Sequence, residues 1–146
     1  MGKRREGREA AIQFLYNTDL NHGENAGTRE DFWDLRPAKP NIREFATTLI
    51  DGVTAHLPEI DERIQKYAEN YQLSRMLAVD RNILRLAIYE MVYCTDVPPV
   101  VAINEAIEIA KRFGADESSR FVNGILDRIK FDLARPLRTA GSVNRD

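Results

Sequence analysis

Residues 97–127 read VPPVVAINEAIEIAKRFGADESSRFVNGILD, and this stretch decides the fold class. Apolar residues recur in it at helical spacing, with polar side chains around them. Prolines precede the first half and Gly114 follows it, and both residue types commonly mark the ends of helices. The pattern predicts a helix over about residues 101–113, a corner with Gly114 in the left-handed conformation, and a second helix that Phe121 helps to open.

The same helical period runs through the rest of the chain, and we find no alternating strand pattern. Asn41, three residues before Glu44, is expected to cap the third predicted helix. We predict an all-α fold of two packed helical subbundles that form one domain over residues 1–136, followed by a flexible tail over residues 137–146. The predicted helices cover about residues 3–20, 31–35, 41–53, 58–71, 79–92, 101–113 and 121–133, the last one broken by Pro136.

The composition is that of an ordinary globular protein. The chain has 146 residues, a formal net charge of -2 and 43% hydrophobic residues, which is enough to build a core without disulfide bonds. Its single cysteine fits a reducing compartment. No apolar run approaches the ~18 residues that a bilayer-spanning helix needs, and the charged N-terminus does not resemble a secretory signal. We therefore expect a cytoplasmic protein that does not enter a membrane.

Residues that could carry catalysis are few and scattered. His22 and His56 lie far apart and lack metal-ligand spacing. Cys94 stands among apolar residues, where a small packing side chain is more common than a nucleophile. Glu105 and Glu108 share a helix face and could form an acid/base pair, but such carboxylates more often make up a solvated surface. We predict no catalytic residue, no metal and no cofactor.

The N-terminal helix begins with a basic cluster. At 100° per residue, the arginines of this cluster and Tyr16 fall within an arc of roughly 120° beside the apolar face. Guanidinium groups make bidentate contacts with phosphate, and an aromatic ring can stack on an unpaired base. The alternatives are a solvated helix start, a half-buried packing role for Tyr16 and a core position for Phe121. The cluster, which we call the basic end, consists of Lys3, Arg4, Arg5 and Arg8.

Four segments together resemble the NusB family of bacterial transcription antitermination factors: RREGREAAIQFLYNTDL, LIDGVTAHLPEID, VDRNILRLAIYEM and VPPVVAINEAIEIAKRFGADESSRFVNGILD. The resemblance extends from Arg4 to about Ile129 and is most specific in VAINEAIEIAK and FVNGILD. It implies an all-helical fold and a non-catalytic role in RNA binding. The expected ligand is the single-stranded boxA element of ribosomal RNA leaders, bound jointly with the ribosomal protein NusE. The resulting complex joins RNA polymerase.

The resemblance also assigns roles to single residues. Asp80 matches an acidic position that faces NusE in the family, whereas a stabilising role at the positive end of a helix is the alternative. We expect Tyr16 and Phe121 to be partly exposed and to share one surface with the arginines. Glu6 and Gly7 interrupt a basic run that is often longer in the family, which predicts weak RNA binding without the partner. Lys3, as part of the basic end, is predicted to bind RNA together with the matched RNA-contacting positions, which are Arg4, Arg5, Arg8, Tyr16 and Phe121.

Two other functions compete with antitermination. NusB-like modules also occur ahead of ribosomal RNA methyltransferase domains, so the chain could serve an RNA-modifying system. However, 146 residues are expected to leave no room for a cofactor-binding sheet. The second alternative is a helical scaffold that binds only proteins. The sequence leaves the oligomeric state open between monomer and homodimer.

Overall fold

The computed structural model describes residues 2–21 and 27–133. Within these ranges the backbone forms seven α-helices, a 3₁₀ turn at Leu73–Arg75 and no strand, which confirms the all-α prediction. The chain divides into two compact units, Met1–Ala55 and His56–Asp146. The helices are α1 Lys3–Leu20, α2 Arg29–Leu35, α3 Pro40–Ala55, α4 Leu57–Tyr67, α5 Ala78–Tyr93, α6 Pro99–Phe113 and α7 Ser118–Lys130.

The first unit is built on the packing of α1 against α3. The buried residues of α3 recur every three or four positions, so they form one stripe along the helix. Burying a Leu, Ile or Val side chain contributes about 1.5–3 kcal/mol, which makes this stripe the main source of stability for α3. The stripe consists of Ile42, Ala46, Leu49, Ile50 and Val53.

The short helix α2 also belongs to the first unit, and its aromatic residues pack against the rest of that unit. Trp33 is buried, and Phe32 packs edge-on against the ring of Phe14 at a centroid distance of 5.3 Å. A capping box holds the start of α2: the Asp31 backbone N–H donates to the Thr28 hydroxyl at 3.0 Å, and the Thr28 N–H donates to the Asp31 carboxylate at 3.2 Å. Such a box stabilises a helix that is too short to persist alone.

The second unit is arranged around α5, which packs against α4, α6 and α7. Most residues of α5 are buried, in agreement with its apolar sequence on nearly all sides. Its one buried arginine, Arg85, is held by a bidentate ion pair in which Nε and Nη2 donate to the two oxygens of Asp61 at 2.8 and 2.9 Å. A buried guanidinium needs such partners because it has lost its hydration.

Several predicted helix ends differ from the structure, and Phe121 does not open α7, which begins at Ser118. Asn41 does not cap α3, because the helix begins at Pro40, whose fixed φ suits a first helical position. The predicted helix over residues 58–71 ends earlier, at Tyr67, and α7 ends at Lys130. The predicted break at Pro136 and the tail over residues 137–146 lie outside the described residues, as does His22.

The position of the corner after α6 was predicted correctly, but the backbone conformation of its glycine was not. Gly114 has φ -90° and ψ -176°, an extended backbone rather than a left-handed one. Its hydrogen side chain is needed for another reason: a Cβ there would lie 2.5 Å from Ser118 Oγ and 2.7 Å from the Ala110 carbonyl oxygen. The Ala115 backbone N–H donates to Ser118 Oγ at 2.9 Å. Close approach to Ser118 therefore requires the glycine.

Over the described part of the chain, none of the helices combines the length and the apolar character needed to cross a membrane. The same residues contain no group of three or more His, Cys, Asp or Glu side chains placed to hold a metal ion.

Candidate nucleic-acid interface

The basic end of α1 is only partly a surface feature. Arg4 is exposed and Arg5 is half-buried, but Arg8 is only 4% exposed. The expectation that Arg8 lies outside the packed face is therefore wrong. Its guanidinium carbon lies 5.7 Å from the centroid of the Phe45 ring, and that of Arg4 lies 4.8 Å from the same centroid. A planar guanidinium can stack on a ring while its N–H groups stay available at its edge.

The approach of Phe45 depends on Gly7. A Cβ at position 7 would lie 2.5 Å from Cδ2 of the Phe45 ring, so only glycine admits the ring at this distance. Gly7, which seemed from the sequence merely to interrupt a basic run, is thus the position that receives Phe45. Arg4 and Arg8 precede and follow that position by one helical turn or less, and both contact the ring that it receives.

A second candidate region lies in the second unit, where Tyr71 and Phe121 form an edge-to-face pair. Their centroids are 5.2 Å apart and their planes are inclined by 77°. Two cavities, of about 240 and 450 Å³, are both lined by these two rings and Arg120. We call this region the aromatic groove. Arg128 lines the smaller cavity and Arg75 lines the larger one.

Sequence reasoning found Phe121 but missed the other members of the aromatic groove. Tyr71 was predicted to be the last residue of a helix, whereas it is 55% exposed beyond the end of α4. A readable signal exists in α7, where Arg120, Gly124 and Arg128 are spaced four residues apart and so lie on one helix face. A Cβ on Gly124 would meet no atom within 4 Å, which leaves the space between these arginines open.

Asp80 lies in the wall of the larger cavity, in the first turn of α5. It is 5% exposed, and this burial raises the pKa of its carboxyl group above the ordinary value, although a hydrogen bond from the Ser118 side chain acts in the opposite direction. Among the residues that the structure describes, none hydrogen-bonds to Asp80 Oδ1. A group of a binding partner would have to enter the cavity to reach Asp80. The predicted role of Asp80 in partner binding stays a prediction.

Tyr16 and Phe121, the two aromatic residues that were predicted to contact RNA, are both half-buried, so neither is a fully enclosed core residue. They belong to different units, and their predicted convergence on one surface stays a prediction. Lys3 is exposed at the start of α1, in keeping with its expected place in the basic end.

The model of the NusB family matches residues 5–131. The transcription antitermination protein NusB of Myxococcus xanthus is 44% identical over 140 residues, covering 93% of this chain and 100% of that protein. NusB of Desulfosudis oleivorans is 47% identical over 137 residues, covering 91% of this chain and 88% of that protein.

Solved structures agree with these relatives. NusB of T. maritima superposes with a TM-score of 0.75 at 38% identity, covering 91% of this chain and 99% of that one. A crystal structure of the antitermination factors NusB and NusE in complex with double-stranded RNA has a TM-score of 0.80 at 29% identity, with coverages of 91% and 99%. Because the family model and these relatives span nearly the whole chain, the chain belongs to the NusB family of transcription antitermination proteins.

Proposed function

We propose that the protein is a non-catalytic antitermination factor that binds boxA-type single-stranded RNA of ribosomal RNA leaders together with the ribosomal protein NusE. In this role it joins the RNA polymerase complex in the cytoplasm. The observation that carries the proposal is the aromatic groove, where exposed ring surface and arginines lie together. Single-stranded RNA is bound through this combination, because bases need stacking surfaces and phosphates need cations.

The basic end of α1 supplies a further set of phosphate contacts. Arg4 is exposed, and its stacking on Phe45 holds the guanidinium in place before any ligand arrives. A pre-positioned cation loses less conformational freedom on binding. The formal net charge of -2 does not oppose this role, because charges more than about 8 Å away are largely screened at physiological salt.

The partner is proposed from the related complex. In that crystal structure a NusB protein is assembled with NusE and RNA, and the fold of this chain matches it over most of its length. If Asp80 meets a basic group of NusE, Asp80→Lys should weaken partner binding by charge reversal. The alternative is that Asp80 only stabilises the first turn of α5, in which case partner binding would survive the reversal.

The proposal is tested by titrating a boxA-type RNA with the protein, with and without NusE, over a range of salt concentrations. Binding should strengthen with NusE, and the logarithm of the affinity should fall with log salt by about 0.7 for each phosphate contacted. Arg4→Ala should reduce that slope. Lys111→Ala is the matched control, because Lys111 is an exposed cation on α6 that pairs with Glu108. Partner binding without any RNA binding would instead support a protein-only scaffold.

A further inference from the structure

The larger cavity of the aromatic groove contains a carboxyl group whose hydrogen-bonding capacity is only partly used. Ser118 donates to the Asp80 side chain, yet Oδ1 accepts no hydrogen bond from any of the described residues. Buried polar atoms are usually paired, because a lost hydration shell must be replaced. The terminal torsion of an aspartate is broad, so either oxygen can turn toward the cavity. Asp80 can therefore accept a hydrogen bond from a ligand there.

The walls of the cavity define the shape of that ligand. Its volume of about 450 Å³ lies within the range of about 300–1,000 Å³ that is common for small-molecule sites. Met76, Leu77 and Phe121 provide apolar surface, and Phe121 is held edge-on against Tyr71. An apolar wall beside the buried acceptor Asp80 fits a flat heterocycle that carries an N–H donor on its edge.

The charges around the cavity select between two kinds of occupant. Arg75 and Arg120 line it as well, so an entering cationic side chain from a protein would meet two like charges. Glu117 offsets part of this, since its carboxylate lies 3.4 Å from Arg120. A nucleotide suits the same arrangement better, because its phosphate can meet an arginine while its neutral base faces Asp80. Burial, which raises the pKa of Asp80, also favours a neutral donor over a buried ion pair.

We propose that this cavity receives one unstacked base of the bound RNA and that Asp80 accepts a hydrogen bond from the exocyclic amino group of that base. The inference rests on the proposed function and adds base selectivity to it; here Asp80 contacts the RNA rather than the basic group of NusE considered above. Cytosine carries an amino donor at the position where uracil carries a carbonyl oxygen. Uracil would therefore place an acceptor against the acceptor of Asp80, and the protein should prefer cytosine to uracil at this position.

The test compares two single-stranded RNAs of equal length, one of cytidines and one of uridines, which share backbone and charge. The wild-type protein should bind the cytidine strand about tenfold more tightly, as expected for one good base contact. In Asp80→Asn that ratio should fall to about one, because the amide offers both a donor and an acceptor. Asp116→Asn is the matched control: this exposed residue lies outside the cavity lining, and the variant should retain the wild-type ratio.

A modified RNA makes the test independent of how the variant folds. A strand of N4,N4-dimethylcytidine lacks the amino hydrogens, so the wild-type protein should bind it as weakly as the uridine strand. Equal wild-type affinity for cytidine and uridine strands would overturn the inference, while salt-dependent binding of both would leave the proposed function intact. Failure to bind any RNA, even with NusE, would overturn both. Loss of NusE binding in Asp80→Asn with an unchanged cytidine preference would assign Asp80 to the protein partner instead.

Discussion

The basic end of α1 and the aromatic groove both combine arginines with aromatic rings, but the fold uses them differently. At the basic end, Arg4 and Arg8 contact Phe45, and Arg8 is withdrawn from solvent. In the groove, Tyr71 and Phe121 pack on each other and leave surface facing two cavities. The difference teaches that an arginine-aromatic pattern can be buried in packing at one place and exposed beside cavities at another, and that only the exposed arrangement is open to a ligand.

Substitution of two helical glycines, one in each region, should distinguish the basic end from the aromatic groove most clearly. Gly7→Ala should destabilise the protein by about 1–3 kcal/mol, because the new Cβ would lie 2.5 Å from the Phe45 ring. Gly124→Ala should stabilise it by up to about 1 kcal/mol, since no atom lies within 4 Å and alanine favours the helix. Chemical denaturation of both variants measures the difference. Equal effects would mean that the Phe45 ring moves away at little cost.

Loss of a stacking ring should separate base contacts from phosphate contacts. Phe121→Ala should lower the affinity for boxA-type RNA by about 1–3 kcal/mol, the usual contribution of one stacked base, with little change in salt slope. Tyr16→Ala should act in the same way if Tyr16 also stacks on a base. Fluorescence anisotropy over a salt series gives both quantities. A salt slope that falls as far as in Arg4→Ala would count against stacking.

Arg4 and Arg8 should differ in what they do for stability. Arg8→Ala should cost about 1–2 kcal/mol, because it removes packing from a buried position, whereas Arg4→Ala should stay within about 0.5 kcal/mol. Both contribute a cation near α1, so their effects on RNA binding should be compared only in folded samples. Thermal unfolding monitored by circular dichroism measures the contrast. Equally small losses of stability would show that the burial of Arg8 contributes little.

The smallest expected effect is a pH dependence that originates at Asp80. Because burial raises the pKa of Asp80 above 3.8, the folded protein binds this proton more tightly than the unfolded chain does. The resulting contribution to the free energy of unfolding is fully present below pH 3.8 and is lost as the pH rises through the raised pKa. Relative to Asp80→Asn, the wild type should lose stability over that interval. An unchanged difference across it would contradict the assignment.

Much of the fold could be predicted from the sequence because the helices follow from local residue patterns. The bounds of α1 were predicted from apolar spacing, and the spacing is set by the helical repeat itself. The backbone conformation of Gly114 could not be predicted from the sequence, because it depends on close contact with Ser118. The chain brings Ser118 close only after the corner has formed. The start of α3 was predicted at the wrong residue because Pro40 and Asn41 are both common at helix N-termini. The helix begins at Pro40, so Asn41 lies inside it.

The candidate site, like the fold, could be predicted from the sequence only in part. By itself the sequence determined the helical architecture, the family and the residue types that are suited to RNA binding, because repeat spacing and side-chain chemistry are properties of the chain. Only the tertiary structure decided that Arg8 is buried on Phe45, that Tyr71 joins Phe121, and that Asp80 lines a cavity. Burial and cavities arise when distant segments pack, so the local pattern did not show whether these particular side chains would face solvent.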